Sequence, residues 1–577
     1  MADINAYKEG SPEWYKQLLD FLSRSTYDAI VQRQSEDKIM GQLNDSYQLL
    51  LNLRSDYSFR KHEPIRKSAM VQSNYLRSLA EYVVSQTGNA SLDALIWKYR
   101  LLEAQSGCLD SYFLYLEKNR DPEKRFYEPR RKKFLEFGIT QNMEALIHGD
   151  LDILSISMPP GTGKSTAGIF LLSGVMGWWP SEPNLASAHS GILTRSFYDG
   201  VSQILSDSDE YAWHEIFPDV RFDPRYGTNS KEQTIDVGTM KRFKSLTCRA
   251  INASLTGATR AERLLYADDL CSGIEEALSK ERMDKLWQTY NTDLKTRKKQ
   301  FCKEIHIATR WSIQDVCSRL EREHEGDPRA KFIKIPALNA DGESNFEYAY
   351  GVGFDTKYFV DMRNSMDDVS FRCLFMNDPI EREGRLYDDN ELRRYLQLPL
   401  TPPDAILSIA DTKNKGIDYF YQPVFFVYGE DHYLVDCICS DESNYEIQYE
   451  ESKRLIIRNK VEAVRFESNN GGDRVAFEVD KRVKAEKAFC NITQAYTEQN
   501  KETKIILYAP WVKQHVIFKD KSLYEPKSAY GIMMSFLASY TVSGKNKHDD
   551  VPDGLASYAK WRSKPEAKPT TIIMSPF

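Results

Sequence analysis

The stretch from Met158 to Thr166, with the sequence Met-Pro-Pro-Gly-Thr-Gly-Lys-Ser-Thr, limits the possible folds more than any other part of this 577-residue chain. Residues 152–157 before it predict a short strand, and the apolar residues 167–179 after it predict a buried helix. A glycine-rich turn between a strand and a helix directs backbone N–H groups and the positive end of the helix dipole at a phosphate group. The sequence therefore predicts a phosphate-binding loop.

Individual residues of this loop have separate tasks in nucleotide binding. Lys164 reaches the β- and γ-phosphates, and the Ser165 hydroxyl can bind Mg²⁺. The common pattern starts with a glycine where this chain has Met158, so the match is partial, and a Gly-Lys-Ser string also arises by chance in coil. The flanking strand, the flanking helix and the double proline favour a nucleotide loop. We expect ATP to contact Pro160, Gly161, Thr162, Gly163, Lys164, Ser165 and Thr166.

Charge and cysteine content narrow the class of protein. A net charge of −7 argues against a chain that coats nucleic acid along its whole length, but it allows a local basic channel. Residues 130–133 and 295–299 are candidate basic stretches, and solvated helix faces explain each one equally well. The nine cysteines lack zinc-site spacing, which fits free thiols in a reducing compartment, and Cys437 and Cys439 are predicted to share the core face of a strand. The chain start lacks a signal peptide and the longest apolar run is too short for a bilayer, so we expect a soluble intracellular protein.

Periodicity and composition divide the chain into five segments. Residues 1–120 have leucines at helical spacing and predict a helical appendage. Residues 121–370 alternate apolar strands with helices, as in an α/β nucleotide-binding domain with a parallel sheet. The charged residues 371–402 predict a linker, residues 403–565 a second α/β domain, and residues 566–577 a tail.

Two further strands of the first α/β domain end in polar residues that can act on a nucleotide. The strand 263–267 leads into Asp268 and Asp269, of which the first is predicted to hold Mg²⁺ and the second to orient the attacking water. Asp269 is shorter than the glutamate that often fills this position. The strand 304–308 leads into Thr309, which either senses the γ-phosphate or belongs to an ordinary turn in which Ser312 caps a helix 313–323.

Other elements of this domain are predicted from local pattern. A helix 131–148 follows Phe126 and Arg130, and this aromatic and polar pair either holds an adenine ring or only precedes a helix start at Pro129. The strand 184–189 ends at His189, which we interpret as a packed or capping residue, and leads to a helix 191–206. Residues 234–237 and 245–250 predict a hairpin or a sheet edge.

The C-terminal half has a different order of elements. Strands are predicted at 405–411, 423–428, 433–439, 461–467 and 504–508, with helices at 444–458, 473–487 and from about 550. Three antiparallel strands followed by helix, strand, helix, strand and helix is the order of an RNase H-like nuclease domain.

Acidic residues stand where that order needs them. Asp411 ends the first strand, Glu467 ends the fourth, and Asp549, Asp550 and Asp553 begin the last helix. Carboxylates from separate elements can converge on two Mg²⁺ or Mn²⁺ ions ~3.5–4 Å apart, which activate water and stabilise the leaving oxygen of a phosphodiester. We predict Asp411, Glu467 and Asp550 as the catalytic, metal-binding set; within the last cluster Asp550 is favoured, and Asp549 and Asp553 remain open as the metal ligand.

Taken together, these motifs and their order resemble the large terminase subunit of tailed bacteriophages over residues 125–563. The stretches that carry the resemblance are 157–165, 186–190, 255–257, 265–270, 308–311, 410–411, 466–469, 547–550 and Asp553. Residues 1–120 fall outside the resemblance.

The resemblance implies an ATPase that drives double-stranded DNA into a procapsid and a nuclease that cuts concatemeric DNA. It implies ATP and Mg²⁺ as cofactors, with Mn²⁺ able to replace Mg²⁺ at the nuclease site. The implied partners are a portal protein, a small terminase subunit and four further copies in a pentameric ring, in the host cytoplasm during assembly and absent from the mature virion. By the resemblance Thr309 couples hydrolysis to movement, and an arginine from a neighbouring copy completes the site; Arg260 is the candidate, with Arg263 and Arg310 as alternatives.

Three other classes share part of these features. An AAA-type ATPase would explain Pro-Pro-Gly-Thr-Gly-Lys but not the acidic set of the second half. A superfamily-two helicase with an attached nuclease domain would explain both halves and remains the alternative. A DNA-binding scaffold with inactive sites is disfavoured because Lys164, Asp268 and the acidic residues are all present.

Overall fold

The computed structural model describes residues 7–59, 61–239, 241–253, 259–277, 279–366, 368–379, 386–411, 419–467, 472–496, 501–541, 546 and 548–563. The chain forms two compact units, Met1–Ile380 and Glu381–Phe577, which divide within the predicted linker. Parts of the sequence motifs, at 255–257, 468–469 and 547, and the predicted tail 566–577 lie outside the described residues.

The first unit contains a run of helices followed by alternating strands and helices. Its helices are α1 (Pro12–Val31), α2 (Glu36–Asp56), α3 (Glu63–Thr87), α4 (Ala90–Gln105), α5 (Leu109–Leu116), α6 (Tyr127–Glu136), α7 (Ile139–Ile147), α8 (Lys164–Trp178), α9 (Gly191–Ser206), α10 (Trp213–Ile216), α11 (Pro224–Gly227), α12 (Ile274–Ala277), α13 (Lys280–Thr289), α14 (Val316–Glu323), α15 (Thr356–Ser365) and α16 (Asp368–Phe371). Its strands are β1 (Ile153–Ser157), β2 (Asn184–Ala188), β3 (Thr228–Asn229), β4 (Thr234–Ile235), β5 (Leu246–Ala250), β6 (Leu264–Asp268), β7 (Lys303–Ala308) and β8 (Ala330–Lys334).

These strands form one sheet in the order β3-β4-β5-β2-β6-β7-β1-β8. The strands from β5 to β8 in this order are parallel. Strands β4 and β5, from the predicted stretches 234–237 and 245–250, pair antiparallel, and β3, which was not predicted, adds to this edge. The central strands β1, β2 and β6 are buried along their whole length, as expected for a sheet covered on both faces. The carboxyl ends of β2, β6, β7 and β1 therefore meet at one edge of the sheet.

The helical N-terminal region is confirmed, and it has a hydrophobic core of its own. Buried residues between Tyr15 and Leu102, on α1 to α4, pack together. Helix α5 instead packs into the core of the sheet region, where the Tyr112 hydroxyl shares a hydrogen bond of 2.8 Å with Ser173 of α8. The helical region thus passes into the sheet region at α5 and belongs to the same compact unit.

Two predicted helix boundaries in this unit are wrong. The helix predicted at 131–148 is two helices, α6 and α7, because Gly138 between them has a left-handed backbone with φ 70°. Helix α14 begins at Val316 instead of residue 313, because the Asp315 side chain accepts the hydrogen bond from Ser318 N at 2.7 Å and is the N-cap. Ser312 Oγ accepts only from Gln314 N.

The second unit is built on a seven-stranded sheet in the order β14-β13-β10-β11-β12-β15-β9. Its strands are β9 (Arg393–Tyr395), β10 (Ala405–Ala410), β11 (Phe420–Tyr428), β12 (Asp431–Ser440), β13 (Ala463–Glu467), β14 (Asn491–Ala495) and β15 (Val516–Lys519). Its helices are α17 (Tyr445–Asn459), α18 (Gly472–Ala485), α19 (Lys501–His515), α20 (Ala529–Ser539) and α21 (Asp550–Arg562). Strands β10, β11 and β12 are antiparallel, whereas β13 and β14 run parallel to β10, so the predicted RNase H-like arrangement is confirmed.

The predicted strand 504–508 is wrong. These residues lie inside helix α19, and the fifth strand of the RNase H-like order is β14, at 491–495. A short apolar run such as Ile505-Ile506-Leu507-Tyr508 does not distinguish a strand from a buried helix segment. The buried residues Ile505, Ile506, Ala509 and Val512 recur at the spacing of a helix, and that longer pattern decides.

The cysteines lie in the interior of the protein. All nine cysteines are buried, and Cys437 and Cys439 both lie on β12. Among the residues that the structure describes, no helix combines the length and the hydropathy needed to cross a membrane.

Candidate functional sites

The loop between β1 and α8 has the backbone of a phosphate-binding turn. Gly161 and Gly163 have φ values of 77° and 104°, which favour glycine. A Cβ at Gly163 would lie 2.8 Å from the Phe126 ring, and one at Gly161 would lie 2.9 Å from the Phe354 ring. The Thr162 carbonyl accepts a 2.9 Å hydrogen bond from the Tyr348 hydroxyl. The loop is therefore held tightly at the amino end of α8, while Met158 is buried in the position of the usual first glycine.

Lys164 lies between two strand ends and connects the predicted residues. Its Nζ donates to the Thr309 hydroxyl and to the Met158 carbonyl at 3.3 Å, and it lies 3.4 Å from Asp269 Oδ2. Thr309 N in turn donates to Asp269 Oδ1 at 2.8 Å. The structure thus brings Lys164, Asp269 and Thr309 into one hydrogen-bonded group.

Asp268 is the buried carboxylate of this site. Its Oδ2 accepts from the Tyr266 hydroxyl at 2.6 Å, and Ser165 also hydrogen-bonds to it. Burial and the neighbouring Asp269 raise the pKa of Asp268 to about 7, against the effect of Lys164. The raised pKa means that the surrounding protein does not fully neutralise the ionised carboxylate. A Mg²⁺ ion would supply the missing positive charge, and the oxygens of Asp268 and Ser165 are ligands that it prefers.

Phe126 and Arg130, the candidate pair for an adenine ring, lie beside the phosphate loop. Helix α6 begins at Tyr127, so Pro129 is not its first residue. The Arg130 guanidinium lies 4.7 Å from the Phe126 ring centroid and 5.1 Å from that of Tyr348, beside Gly163. This cation and aromatic group adjoins the phosphate loop.

The three candidate arginines differ in their surroundings. Arg263 lies 3.5 Å above the Trp179 ring and donates to the Ile147 carbonyl. Arg310 is buried and donates to Ser318 and Glu321. Both therefore stabilise their own unit, whereas Arg260 is half-exposed beside Glu262.

The two candidate basic stretches are not uniform basic surfaces. In the first stretch, Arg130 adjoins the phosphate loop. The next residue, Arg131, instead forms an ion pair with Asp110 of α5, with 2.7 Å between Nε and Oδ1. In the second, Lys298 binds the buried Glu304. Neither stretch offers all its charges to one ligand.

In the second unit, Asp411, Glu467 and Asp553 form a carboxylate cluster. One oxygen from each lies within 4.8 Å of the others, and the residues come from the ends of β10 and β13 and from the first turn of α21. Burial, Glu467 and Asp553 raise the pKa of Asp411 well above its usual value, and burial raises that of Asp553 to about 6. The cluster thus has too little positive charge around it, and hard oxygen ligands of this kind fit Mg²⁺ or Mn²⁺.

Asp553, rather than the favoured Asp550, completes this cluster. Asp550 Oδ2 accepts from Tyr419 N at 3.0 Å, and its Oδ1 lies 3.3 Å from Lys501 Nζ. Asp549 is more exposed and lies 2.7 Å from Lys501. Asp553 follows Asp550 by about one helical turn, so both lie on the same face of α21. Asp553 is the one that lies next to the ends of β10 and β13.

Two lysines of α19 belong to the site and were missed from the sequence. Lys504 Nζ lies 3.0 Å from Asp553, 3.2 Å from Glu467 and 2.7 Å from Ser557 Oγ, and it is almost fully buried. Lys501 binds Asp549 and Asp550. On a helix, a spacing of three residues places Lys501 and Lys504 on one face. Because residues 504–508 were predicted as a strand, this shared face was not recognised.

The chain therefore carries two candidate sites: a phosphate-loop turn with Lys164, Asp268, Asp269 and Thr309 in the first unit, and a cluster of three carboxylates in the second. No model of a protein family matches the sequence, and no curated protein matches it. Among solved structures, the large terminase of a thermophilic bacteriophage is similar at 12% identity and TM-score 0.40, over 75% of this chain and 98% of that one. The bacteriophage HK97 large terminase is similar at 9% identity and TM-score 0.31, over 73% and 93%.

A third similar structure covers the second half alone. It is the human cytomegalovirus terminase nuclease domain, at 10% identity and TM-score 0.25, over 30% of this chain and 94% of that one. At these identities and TM-scores the three proteins are similarities only.

Proposed function

We propose that this protein is the motor subunit of a viral DNA-packaging machine, which hydrolyses ATP to move double-stranded DNA into a procapsid and cuts concatemeric DNA. The observation that carries the proposal is that one chain holds both sites. The loop with Lys164 is completed by Asp268, Asp269 and Thr309, and the second unit has its carboxylate cluster on an RNase H-like sheet.

In the ATPase site, each residue acts at a defined position. Lys164 and the loop N–H groups bind the phosphates, and Asp268 and Ser165 would hold Mg²⁺, which supplies charge neutralisation when bound. Asp269 holds the attacking water in line, because its carboxylate lies beside the Lys164 ammonium that reaches the γ-phosphate. Thr309, in contact with both residues, carries the change at the γ-phosphate to β7.

In the nuclease site, Asp411, Glu467 and Asp553 would hold two divalent ions, which supply a nucleophilic water and stabilise the leaving oxygen. Lys504 balances part of the negative charge of Glu467 and Asp553 and holds both carboxylates in place. Asp550 positions the start of β11 through Tyr419 N.

The partners follow from the same proposal. A ring of five copies on a portal protein would let Arg260, half-exposed, reach the nucleotide of a neighbouring copy. A small terminase subunit would present the DNA, the host cytoplasm would be the place of action, and the mature virion would lack the protein. Phe126 and Arg130 would hold the adenine ring.

A triplex-displacement assay distinguishes this proposal from the helicase alternative. A translocase on double-stranded DNA strips a third strand from an intact duplex, whereas a helicase separates a forked duplex. We expect ATP-dependent displacement of the third strand, with the forked duplex unchanged, from the Glu467→Gln variant, whose cutting is suppressed. Unwinding of the fork without triplex displacement would contradict the packaging function and favour the helicase.

A further inference from the structure

Asp269 has an unusual backbone. Its φ of 38° lies in the left-handed region, which costs free energy for a residue other than glycine and persists only where neighbours hold it. Its N–H donates to the Ile307 carbonyl at 2.9 Å, and its Oδ1 accepts from Thr309 N. Both contacts come from β7 or its end, on one side of β6.

His189 holds Asp269 from the other side. The Asp269 carbonyl accepts from His189 Nδ1 at 2.8 Å and from His189 N at 3.3 Å. A carbonyl oxygen only accepts, so Nδ1 carries the proton. Since β2 and β7 are the two neighbours of β6, His189 after β2 and residues 307–309 of β7 and its end hold Asp269 from both sides.

We propose that His189 is a positioning residue of the ATPase site, a role that rests on the proposed ATP hydrolysis. By fixing the Asp269 carbonyl, it keeps the backbone in the left-handed form and the carboxylate beside Lys164 and Thr309. Without the imidazole donor, the backbone can relax to an ordinary conformation, which turns the carboxylate away from the attacking water. Nucleotide binding through the phosphate loop does not require this contact.

The test compares His189→Leu with His189→Asn, whose amide nitrogen can donate from nearly the position of Nδ1. For His189→Leu we expect kcat of ATP hydrolysis to fall about tenfold, which corresponds to about 1.4 kcal/mol, with KM and ADP affinity unchanged. His189→Asn should restore most of kcat. His214→Leu is the matched control, because His214 also binds a backbone carbonyl, that of Leu205, at 2.9 Å in the same unit.

An unchanged kcat in His189→Leu, a rise in KM alone, or equal losses in the Leu and Asn variants would overturn the role of His189. If His189→Leu does not fold, His189→Asp replaces it, since it has the size of Asn but no N–H donor. A wild-type protein that binds ATP without hydrolysing it would count against the proposed function itself. A hydrolysing wild type with a normal His189→Leu variant would remove only the present inference.

Discussion

Lys504 is the buried cation of the carboxylate cluster in the second unit. Its ammonium is buried between Glu467 and Asp553, so it offsets two carboxylates that would otherwise repel each other. Removing one partner from a buried ionic group costs more than removing an exposed charge, because the remaining charges stay buried and unpaired. Lys501, whose side chain is 38% exposed, provides the comparison.

We expect Lys504→Met to lower the stability of the second unit by about 3 kcal/mol without metal, and Lys501→Met by about 1 kcal/mol or less. Because the Lys504→Met cluster is more negative, Mn²⁺ should restore a larger share of its stability than it adds to the wild type. Urea unfolding with EDTA or MnCl₂, followed by the fluorescence of Trp511 and Trp561, measures both effects. Equal losses in the two variants, or no recovery with Mn²⁺, would contradict this assignment.

Residue types and strand ends made most of the site predictable. Lys164, Ser165, Asp268, Asp411 and Glu467 each follow a strand or a loop that the sequence marks. The choice between Asp550 and Asp553 was not predictable, because both are on one face of α21 and only the packing of the helix decides which one reaches β10 and β13.

Strand β7 leads into Thr309 of the candidate phosphate site and contains a buried ionic network. Glu304 and His306 are fully buried on it, 2.7 Å apart, and Glu304 also binds Lys298 and Tyr290. Burial alone would lower the pKa of His306, but hydrogen bonds with Cys317 and Glu304 outweigh it and raise the pKa to about 9. We therefore expect His306 to be charged at neutral pH.

This network predicts a pH dependence of stability. The folded-state pKa of His306, about 9, lies above the ordinary value of 6.5, so its stabilising contribution is complete below pH 6.5 and is lost as the pH rises through 9. We expect His306→Gln to lower the stability of the first unit by about 2 kcal/mol at pH 6 and by much less at pH 10. Urea unfolding at the two pH values checks this. A loss that is the same at both would show that His306 is neutral in the folded protein.

Elements in which an apolar pattern repeats over many residues were predictable from the sequence, whereas short apolar runs were not. Helix α9 has the bounds that the sequence predicts, 191–206, and in the structure Ser190 is its N-cap. Helix α19 was misread as a strand from four apolar residues. Gly138, which splits α6 from α7, could have been recognised as a left-handed helix end within an otherwise periodic run.

At the scale of the whole molecule, two compact units each carry one site. The order of motifs along the chain made this organisation predictable, since each motif needs its own sheet. The convergence of three carboxylates and two lysines from four elements was not fully predictable, because it depends on how α19 and α21 pack on β10 and β13.

If two chemically separate sites act in one chain, each can be inactivated without the other. ATP hydrolysis and plasmid nicking, both measured in two variants, test this. We expect Lys164→Ala to abolish ATP hydrolysis and leave Mn²⁺-dependent nicking of supercoiled plasmid unchanged. Glu467→Gln should lower nicking about a hundredfold or more and leave ATP hydrolysis unchanged. The controls are Lys231→Ala, an exposed lysine of the first unit, and Glu462→Gln, an exposed carboxylate just before β13. Loss of both activities in either folded variant, or full nicking by Glu467→Gln, would contradict the account.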